Sequence, residues 1–232
     1  MKQLFVKEIG QQNAQTIVFL HASGSSSDVE WTSFDDVTEM IVKIIKSRAH
    51  GKPHLVGLSL GGSLILKLLE SHSDAVDRVI VDGACHHPIK GYRKVIAMVY
   101  VMSLFKNTKI VAHLMTKMMQ DDGASEEDCR GFVADLQRAS SKSFHRVMSQ
   151  ANVLNVGLSF ANPAFFVSGG EESETIHQSH QLLAGRNINS ESAYYPNKGH
   201  AWLFSDVDTH IQLVRYFLQG ATFPYQLSRL TY

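Results

Sequence analysis

The sequence predicts an α/β fold, with a mostly parallel sheet of about six strands flanked by helices and an inserted helical lid. Short runs of β-branched and apolar residues, such as residues 16–20, alternate with stretches of helical periodicity. Runs this apolar are typical of strands buried on both faces of a parallel sheet. The alternation stops from about residue 86 to residue 160, where only helical patterns occur, and this stretch is the predicted lid.

Each predicted element follows from a local signal. Ser33 is a candidate cap with Asp36 three residues later, and the apolar residues after it repeat with a period of 3.6. Ser125 begins a similar capped start inside the lid. The predicted strands span residues 4–9, 16–20, 53–58, 78–82, 164–168 and 192–195. Further helices are predicted over residues 60–71, 174–183 and 207–218.

These elements divide the chain into two parts. The α/β core is expected over residues 1–85 and 161–232, and the lid over residues 86–160. Six methionines are concentrated in the lid, namely Met98, Met102, Met115, Met118, Met119 and Met148. They fill gaps between packed helices, or they form an adaptable surface that lines an apolar substrate pocket.

Composition narrows the possible partners. Lysine plus arginine and aspartate plus glutamate both number 22, so the whole chain has no electrostatic footprint for nucleic acid or an anionic membrane. The apolar run 95–105 is shorter than the ~20 residues of a spanning helix. The N-terminus has no signal-peptide core. Cys85 and Cys129 lack metal-ligand spacing, which favours free thiols in a reducing compartment. We therefore expect a cytoplasmic protein without a membrane span.

One serine stands where a strand pattern becomes a helix pattern. Ser59 lies between Gly57 and Gly61, and a turn this tight needs glycines where strand and helix meet. Such a turn lifts the hydroxyl to the carboxyl edge of the sheet, beside the positive end of the next helix. There the hydroxyl can attack a carbonyl, and the Leu60 N–H can hold the oxyanion.

The serine needs a base and an orienting carboxylate. Of the twelve histidines, His200 alone lies in a Gly-His loop between the last predicted strand and the last helix. Loops after parallel strands share one sheet edge, so His200 can reach Ser59. The neighbouring pair His86-His87 and the remaining histidines fit packed or surface positions better. Position alone leaves four carboxylates open as the acid: Glu171, Glu172, Glu174 and Asp82.

Together these features resemble the α/β-hydrolase fold family over about residues 16–218. The resemblance rests on TIVFLHASG, the elbow GLSLGG, the helical insertion, FFVSGGEE and NKGHAW, in the family's order of nucleophile, acid and histidine. It implies Ser59 as nucleophile, His200 as base and Glu172 as acid, with Glu171 and then Asp82 as alternatives. It also implies an oxyanion hole formed by the backbone N–H groups of Ser23 and Leu60.

The sequence departs from the family pattern at two places. Ala22 replaces the usual glycine after His21, and the stretch between Leu20 and Ser33 has no room for the family's additional helix and strand. Either the native sheet is shortened, or a segment is missing from this stretch. A shortened sheet leaves an exposed edge on its N-terminal side, which predicts a possible homodimer.

We therefore expect a serine hydrolase that cleaves a small to medium hydrophobic ester through an acyl-enzyme, with no cofactor or metal. Three alternatives stay open. The protein binds a ligand with weak or no turnover, it cleaves an amide or carbon–carbon bond with the same triad, or the chain is a fragment without a function of its own.

Overall fold

A computed structural model describes residues 4, 6–10, 15–22, 31–157 and 159–230. Its sheet has six strands in the spatial order β1-β2-β3-β4-β5-β6. The first five strands are parallel, and β6 pairs antiparallel with β5. The strands are β1 (Ile17–Leu20), β2 (His54–Leu58), β3 (Val79–Asp82), β4 (Ala164–Gly169), β5 (Glu191–Tyr195) and β6 (Ser228–Arg229). The structure confirms the predicted fold class.

The helices alternate with these strands and carry the predicted caps. Ser33 and Ser125 each accept a hydrogen bond at 3.1 Å from the backbone N–H three residues later, those of Asp36 and Asp128. Asp206 caps the last helix in the same way. The helices are α1 (Phe34–Arg48), α2 (Leu60–His72), α3 (Tyr92–Phe105), α4 (Lys109–Asp121), α5 (Glu126–Arg138), α6 (Ser141–Asn152), α7 (Glu174–Gly185), α8 (Trp202–Ser205) and α9 (Val207–Gln219).

The core lies on both faces of the sheet. Successive residues of the buried strands point to opposite faces, so Phe166 packs toward α1, α2 and α7 while Phe165 packs toward α9. All residues of β2, β3 and β4 are buried. This two-sided burial explains why their sequences are continuously apolar rather than alternating.

Two details of the predicted sheet are wrong. Residues 4 and 6–9 of the first predicted strand form no strand. Leu4 packs against the core, but Ile9 is 84% exposed, and a short apolar run without a neighbouring strand to pair with does not form a strand. The sixth strand is β6 instead, and two residues are too few for a recognisable pattern.

Among the residues that the structure describes, β1 is the edge strand on the N-terminal side of the sheet, as the sequence indicates. β1 occupies the end of the strand order and pairs with β2. Ile17 is 37% exposed and Phe19 is 64% exposed. The homodimer that such an edge favours stays a prediction.

Four helices, α3 to α6, form the insertion between β3 and β4. Their inner faces meet in one apolar cluster formed by Val99, Val111, Leu136 and Phe144. Three of the methionines, Met102, Met115 and Met148, pack against this cluster as gap fillers. Lys106 is also buried there, and its Nζ donates to the Leu136 and Gln137 carbonyls at the end of α5. The insertion therefore has a core of its own, closed by a buried lysine that caps a helix C-terminus.

Glycine is required where α2 crosses the ends of β1 and β2. A Cβ atom on Gly61 would lie 1.9 Å from the backbone oxygen of Leu20, and one on Gly57 would lie 2.5 Å from the Gly61 carbonyl group. Both neighbours are backbone atoms, which cannot rotate away. The helix therefore sits closer to the sheet than any side chain allows.

We expect Gly61→Ala to lower the free energy of unfolding by about 3 kcal/mol or more, because α2 must move off the sheet. Gly131→Ala is the matched control, since Gly131 lies inside α5 with no atom within 4 Å of the added methyl group. The control should raise stability by about 0.5–1 kcal/mol through helix propensity. Urea denaturation measures both values, and equal effects would contradict the packing argument.

Candidate active site

Ser59 alone makes the turn between β2, which ends at Leu58, and α2, which begins at Leu60. Its backbone has φ 56° and ψ −109°, in the positive-φ region that a serine rarely adopts. Two hydrogen bonds hold it there. The Ser59 N–H donates to the Asp82 carbonyl at 2.7 Å, and the Ser59 carbonyl accepts from the Ser63 N–H at 2.9 Å. Strain of this kind costs about 1–3 kcal/mol and concentrates at functional sites.

One of the two predicted oxyanion donors, Leu60, directly follows this turn. Leu60 is the first residue of α2, so its N–H has no acceptor within the helix and lies at the positive end of the helix dipole. Ser23 lies outside the described residues. The chain leading to it leaves β1 at Leu20, and the Leu20 carbonyl is the group that packs against Gly61 of α2. The loop that begins at His21 therefore starts beside the N-terminus of α2.

His200 and Glu172 form a hydrogen-bonded pair. Nδ1 of His200 lies 2.7 Å from Oε2 of Glu172, and the other carboxylate oxygen accepts from the Gly169 N–H at 3.1 Å. An ionised carboxylate only accepts, so the proton of this bond belongs to Nδ1. Nε2 is then the free nitrogen of the neutral ring, as a general base requires.

Backbone hydrogen bonds align the two loops that carry this pair. The Gly170 N–H donates to the Tyr195 carbonyl at 2.8 Å, and the Glu171 N–H donates to the Lys198 carbonyl at 2.9 Å. Glu171 is exposed, whereas the Glu172 side chain is only 4% exposed. The pairing of the loops therefore turns Glu172 inward to the histidine and Glu171 outward to solvent.

The charges around His200 favour its protonated form. Burial opposes a charged imidazole, but the Glu172 carboxylate, together with Asp82 and Asp122, raises the pKa of His200 from 6.5 to about 9. Burial also disfavours the charged form of Glu172, yet the charge and hydrogen bond of His200 hold the pKa of Glu172 below its usual range. The His200 side chain is 48% exposed, so its free face can exchange protons with a bound molecule or with water.

Ser59 and His200 both lie against the segment Asp82-Gly83, which follows β3. Ser59 binds the Asp82 carbonyl through its backbone N–H. Gly83 has φ 61°, and a Cβ atom there would lie 2.8 Å from Cε1 and 2.9 Å from Nδ1 of His200. The serine turn, the imidazole and Glu172 are thus brought to the same edge of the sheet, although they come from three separate parts of the chain.

Asp82, another of the carboxylates considered for the acid, points elsewhere. Its side chain is fully buried, and Oδ1 accepts from Nε1 of Trp202 at 3.2 Å. Oδ2 lies 3.9 Å from Nε2 of His210, and neither of these two atoms has a hydrogen-bond partner among the described residues. Burial, with a smaller contribution from Glu172, raises the pKa of Asp82 well above its usual range. Asp82 therefore anchors the loop through Trp202 and makes no hydrogen bond with His200.

Asp122 is a residue that the sequence did not single out. It follows α4 in the lid, and its Oδ2 accepts from the Ala201 N–H at 3.1 Å, next to His200. Gly199 leaves room for this carboxylate, because a Cβ atom there would lie 2.0 Å from Oδ1 of Asp122. The lid thus holds the histidine loop directly. A carboxylate after a helix is too common a feature to have revealed this contact.

The other histidines near the site have packing partners. Nδ1 of His86 lies 2.7 Å from the Ser179 hydroxyl, Nε2 of His177 lies 3.0 Å from the Gly169 carbonyl, and Nε2 of His180 lies 3.0 Å from the Ala84 carbonyl. Burial lowers the pKa of both His86 and His180 to about 4, so both rings are neutral at neutral pH. In the described ranges, no three histidine, cysteine or acidic side chains cluster as metal ligands would.

The buried Asp82 predicts a pH-dependent stability. Because its pKa is raised in the folded state, the protonated form is favoured there. The protonated Asp82 side chain contributes fully to stability at a pH below the pKa of aspartate in the unfolded chain. That contribution is lost as the pH rises through the higher pKa of Asp82 in the folded protein. Asp82→Asn keeps an oxygen for Trp202 but carries no charge. Its free energy of unfolding should exceed that of the original protein increasingly as the pH rises to neutral.

Thermal denaturation over a pH series measures this difference. Asp77→Asn, a change at a more exposed aspartate, is the control and should show no comparable widening. An Asp82→Asn protein that is less stable at every pH would contradict the account of a buried, unpaired oxygen.

Comparison with known proteins shows similarity at the level of structure. No family model matches the sequence, and no curated protein matches it. Among solved structures, MGS-M2, an α/β hydrolase enzyme from a Medee basin deep-sea metagenome library, superposes with a TM-score of 0.76 at 16% identity. The match covers 95% of this chain and 94% of that chain.

Two further structures match over nearly the whole chain. A thermophilic esterase has a TM-score of 0.70 at 17% identity, covering 89% of this chain and 90% of its own. The meta-cleavage product hydrolase of Pseudomonas fluorescens IP01 has a TM-score of 0.69 at 17% identity, covering 90% of this chain and 92% of its own. The parallel sheet, the helical insertion and these superpositions together show that the chain has the α/β-hydrolase fold.

Proposed function

We propose that the protein is a serine hydrolase that cleaves a small to medium hydrophobic ester through an acyl-enzyme. The observation that carries the proposal is the hydrogen bond between Nδ1 of His200 and the nearly buried Glu172 carboxylate. It leaves Nε2 free at the edge of the sheet where Ser59 is held in a strained turn. A hydroxyl, an oriented base and helix N–H groups at one place are what acyl transfer needs.

In the proposed reaction, Nε2 of His200 takes the hydroxyl proton as Oγ of Ser59 attacks the ester carbonyl carbon. The backbone N–H groups of Leu60 and Ser23 hold the resulting oxyanion. The imidazolium then gives its proton to the departing alcohol, which leaves an acyl group on Ser59. Water, deprotonated by the same nitrogen, releases the acid and restores the serine. Glu172 keeps the imidazole in the required tautomer and stabilises its charged form.

The choice of an ester is supported by the apolar content of the lid and by structural neighbours. These include a thermophilic esterase and the enol-lactonase from Burkholderia xenovorans LB400. The meta-cleavage product hydrolase is the neighbour that favours the second candidate, carbon–carbon bond cleavage with the same residues. A ligand-binding protein with the same fold is the third candidate, and the experiment below separates it from both enzymes.

The domain division and the assembly belong to the same proposal. The core comprises residues 1–85 and 161–232, the lid comprises residues 86–160, and the open β1 edge pairs two chains in a homodimer. Cys85 and Cys129 are both free and buried, which supports a cytoplasmic location. No helix in the described ranges is long and apolar enough to cross a membrane.

The first test is covalent labelling with a fluorophosphonate and turnover of p-nitrophenyl esters of increasing acyl length. We expect Ser59→Ala to abolish labelling, and Ser59→Ala and His200→Ala each to reduce kcat/KM by about 10³-fold or more. Ser71→Ala, at an exposed serine near the end of α2, is the control and should behave as the original protein.

A folded original protein that neither labels nor hydrolyses any of these esters would favour the ligand-binding candidate. Labelling that depends on Ser59, without ester turnover, would favour the carbon–carbon hydrolase.

The second test concerns the acid. His200 can act as a base only when its imidazole is neutral. Because its pKa is raised from 6.5 to about 9, we expect kcat/KM to rise with pH and to level off at a higher pH than an ordinary histidine would give. Glu172→Gln removes the charge that stabilises the imidazolium. The inflection should move to lower pH, and kcat should fall by about 10²–10⁴-fold because the tautomer is no longer enforced.

Glu171→Gln is the matched control, since the neighbouring side chain faces solvent, and it should change neither the inflection nor kcat. If Asp82→Ala abolished turnover in a folded protein while Glu172→Gln preserved it, the acid would be assigned wrongly. The pH dependence of kcat/KM for one p-nitrophenyl ester measures all of these variants.

A further inference from the structure

The lid exposes apolar side chains to solvent along two successive helices. On α3 they recur at spacings of three and four residues, so they share one helix face, and on α4 they recur every four residues. Each is between 48% and 81% exposed. We call this set the outer lid face. It consists of Met98, Val101, Leu104 and Phe105 of α3 and Ile110, Leu114 and Met118 of α4.

The outer lid face is distinct from the core of the lid. The opposite faces of α3 and α4 already pack into the lid cluster through Val99 and Val111. Helix α5 contributes Leu136 to the same cluster, but its own exposed side is polar, with Glu126 and Arg130 forming an ion pair in solvent. Apolar exposure is therefore a property of α3 and α4 and not of every lid helix.

The charges beside the outer lid face are mainly basic, and the exposed Asp121 at the end of α4, three residues after Met118, is an acidic exception. Residues 83–120 contain no aspartate or glutamate and six basic residues. Lys106 is buried, and the other five are exposed. Lys94 stands one helical turn before Met98, and Lys117 stands three residues after Leu114, so cations border the apolar side chains on both helices. The equal numbers of basic and acidic residues in the whole chain conceal this local excess of basic residues. The basic residues are Lys90, Arg93, Lys94, Lys106, Lys109 and Lys117.

We propose that the outer lid face docks on the surface of an anionic lipid membrane. Apolar side chains would enter the boundary between headgroups and acyl chains, and the lysines would lie against lipid phosphates, with their stems along the apolar surface. A second copy of the same face fits poorly, because the two cationic borders would repel each other. Docking of this kind is peripheral and requires no spanning helix. It goes beyond the proposed ester hydrolysis and does not depend on it.

Cosedimentation of the full chain with vesicles tests this directly. Vesicles of phosphatidylcholine containing phosphatidylserine should bind the protein, and vesicles of phosphatidylcholine alone should bind it more weakly. Added salt should weaken the binding to the anionic vesicles, because it screens the lysines. Binding equally strong to both vesicles at every salt concentration would overturn the electrostatic part, and no binding to either would overturn the proposal.

Two paired variants assign the binding to this face. Leu104→Ser with Ile110→Ser removes apolar contacts, and Lys94→Glu with Lys109→Glu reverses two charges. Each pair should reduce partitioning by about tenfold or more. The controls are Ile188→Ser, at a side chain 99% exposed outside the lid, and Lys52→Glu, at an exposed lysine before β2. Both controls should bind as the original protein.

Circular dichroism confirms that each variant is folded before it is compared. Variants of the outer lid face that bind as the original protein, or controls that lose binding equally, would overturn the assignment.

A sizing column adds one more outcome. If the original protein self-associates and the outer-face variants alone dissociate it, the face contacts a second chain rather than lipid. Ser59→Ala should leave vesicle binding unchanged, so failure of the hydrolase proposal and failure of this one are separate results.

Discussion

The structure depends on close approach of backbone segments at the carboxyl edge of the sheet. Helix α2 reaches the end of β1 because Gly61 has no Cβ to meet the Leu20 carbonyl, and Gly57 clears the same crossing from within β2. Gly83 makes the equivalent room for the His200 ring, and Gly169 lies against the backbone of Gly199. These contacts exclude side chains altogether. They bring the strained Ser59 turn and the histidine loop onto one rim, where ordinary side-chain packing would hold them apart.

Electrostatics then distinguishes carboxylates that are close neighbours. Glu172 carries the hydrogen bond to His200 and has a lowered pKa, whereas Asp82 is buried with one unpaired oxygen and has a raised pKa. The pKa values of these two acidic groups, one at the end of β3 and one after β4, are thus shifted in opposite directions, because Glu172 has His200 within hydrogen-bond distance and Asp82 has only an indole N–H. Asp122 adds a third charge from the lid and contacts the loop of His200 itself. The position of the lid and the electrostatics of the proposed base are therefore physically linked.

The lid combines two kinds of surface on the same helices. Its inner faces form an apolar core that Lys106 closes by donating to the carbonyls at the end of α5. The outer faces of α3 and α4 are also apolar, whereas the solvent-facing side of a surface helix is normally polar. The short β1 edge is a second place where apolar side chains meet solvent.

Local signals made much of the architecture predictable from the sequence. Continuous apolar runs predicted the buried parallel strands, and Ser33 and Ser125 predicted helix starts. A serine between Gly57 and Gly61 predicted a strand–helix turn. Each of these signals depends only on residues that are close together in the sequence. The strand predicted over residues 4–9 was wrong, and β6 was missed, because pairing needs a partner strand that no local pattern supplies.

The sequence by itself determined the order of the elements and the small set of residues able to serve as nucleophile, base and acid. Tertiary structure alone decided that Glu172, rather than Glu171 or Asp82, makes the hydrogen bond to His200, and that Asp122 of the lid holds the histidine loop. The physical reason is that backbone hydrogen bonds between distant loops set which way each side chain points. Spacing along the chain carries no information about those bonds.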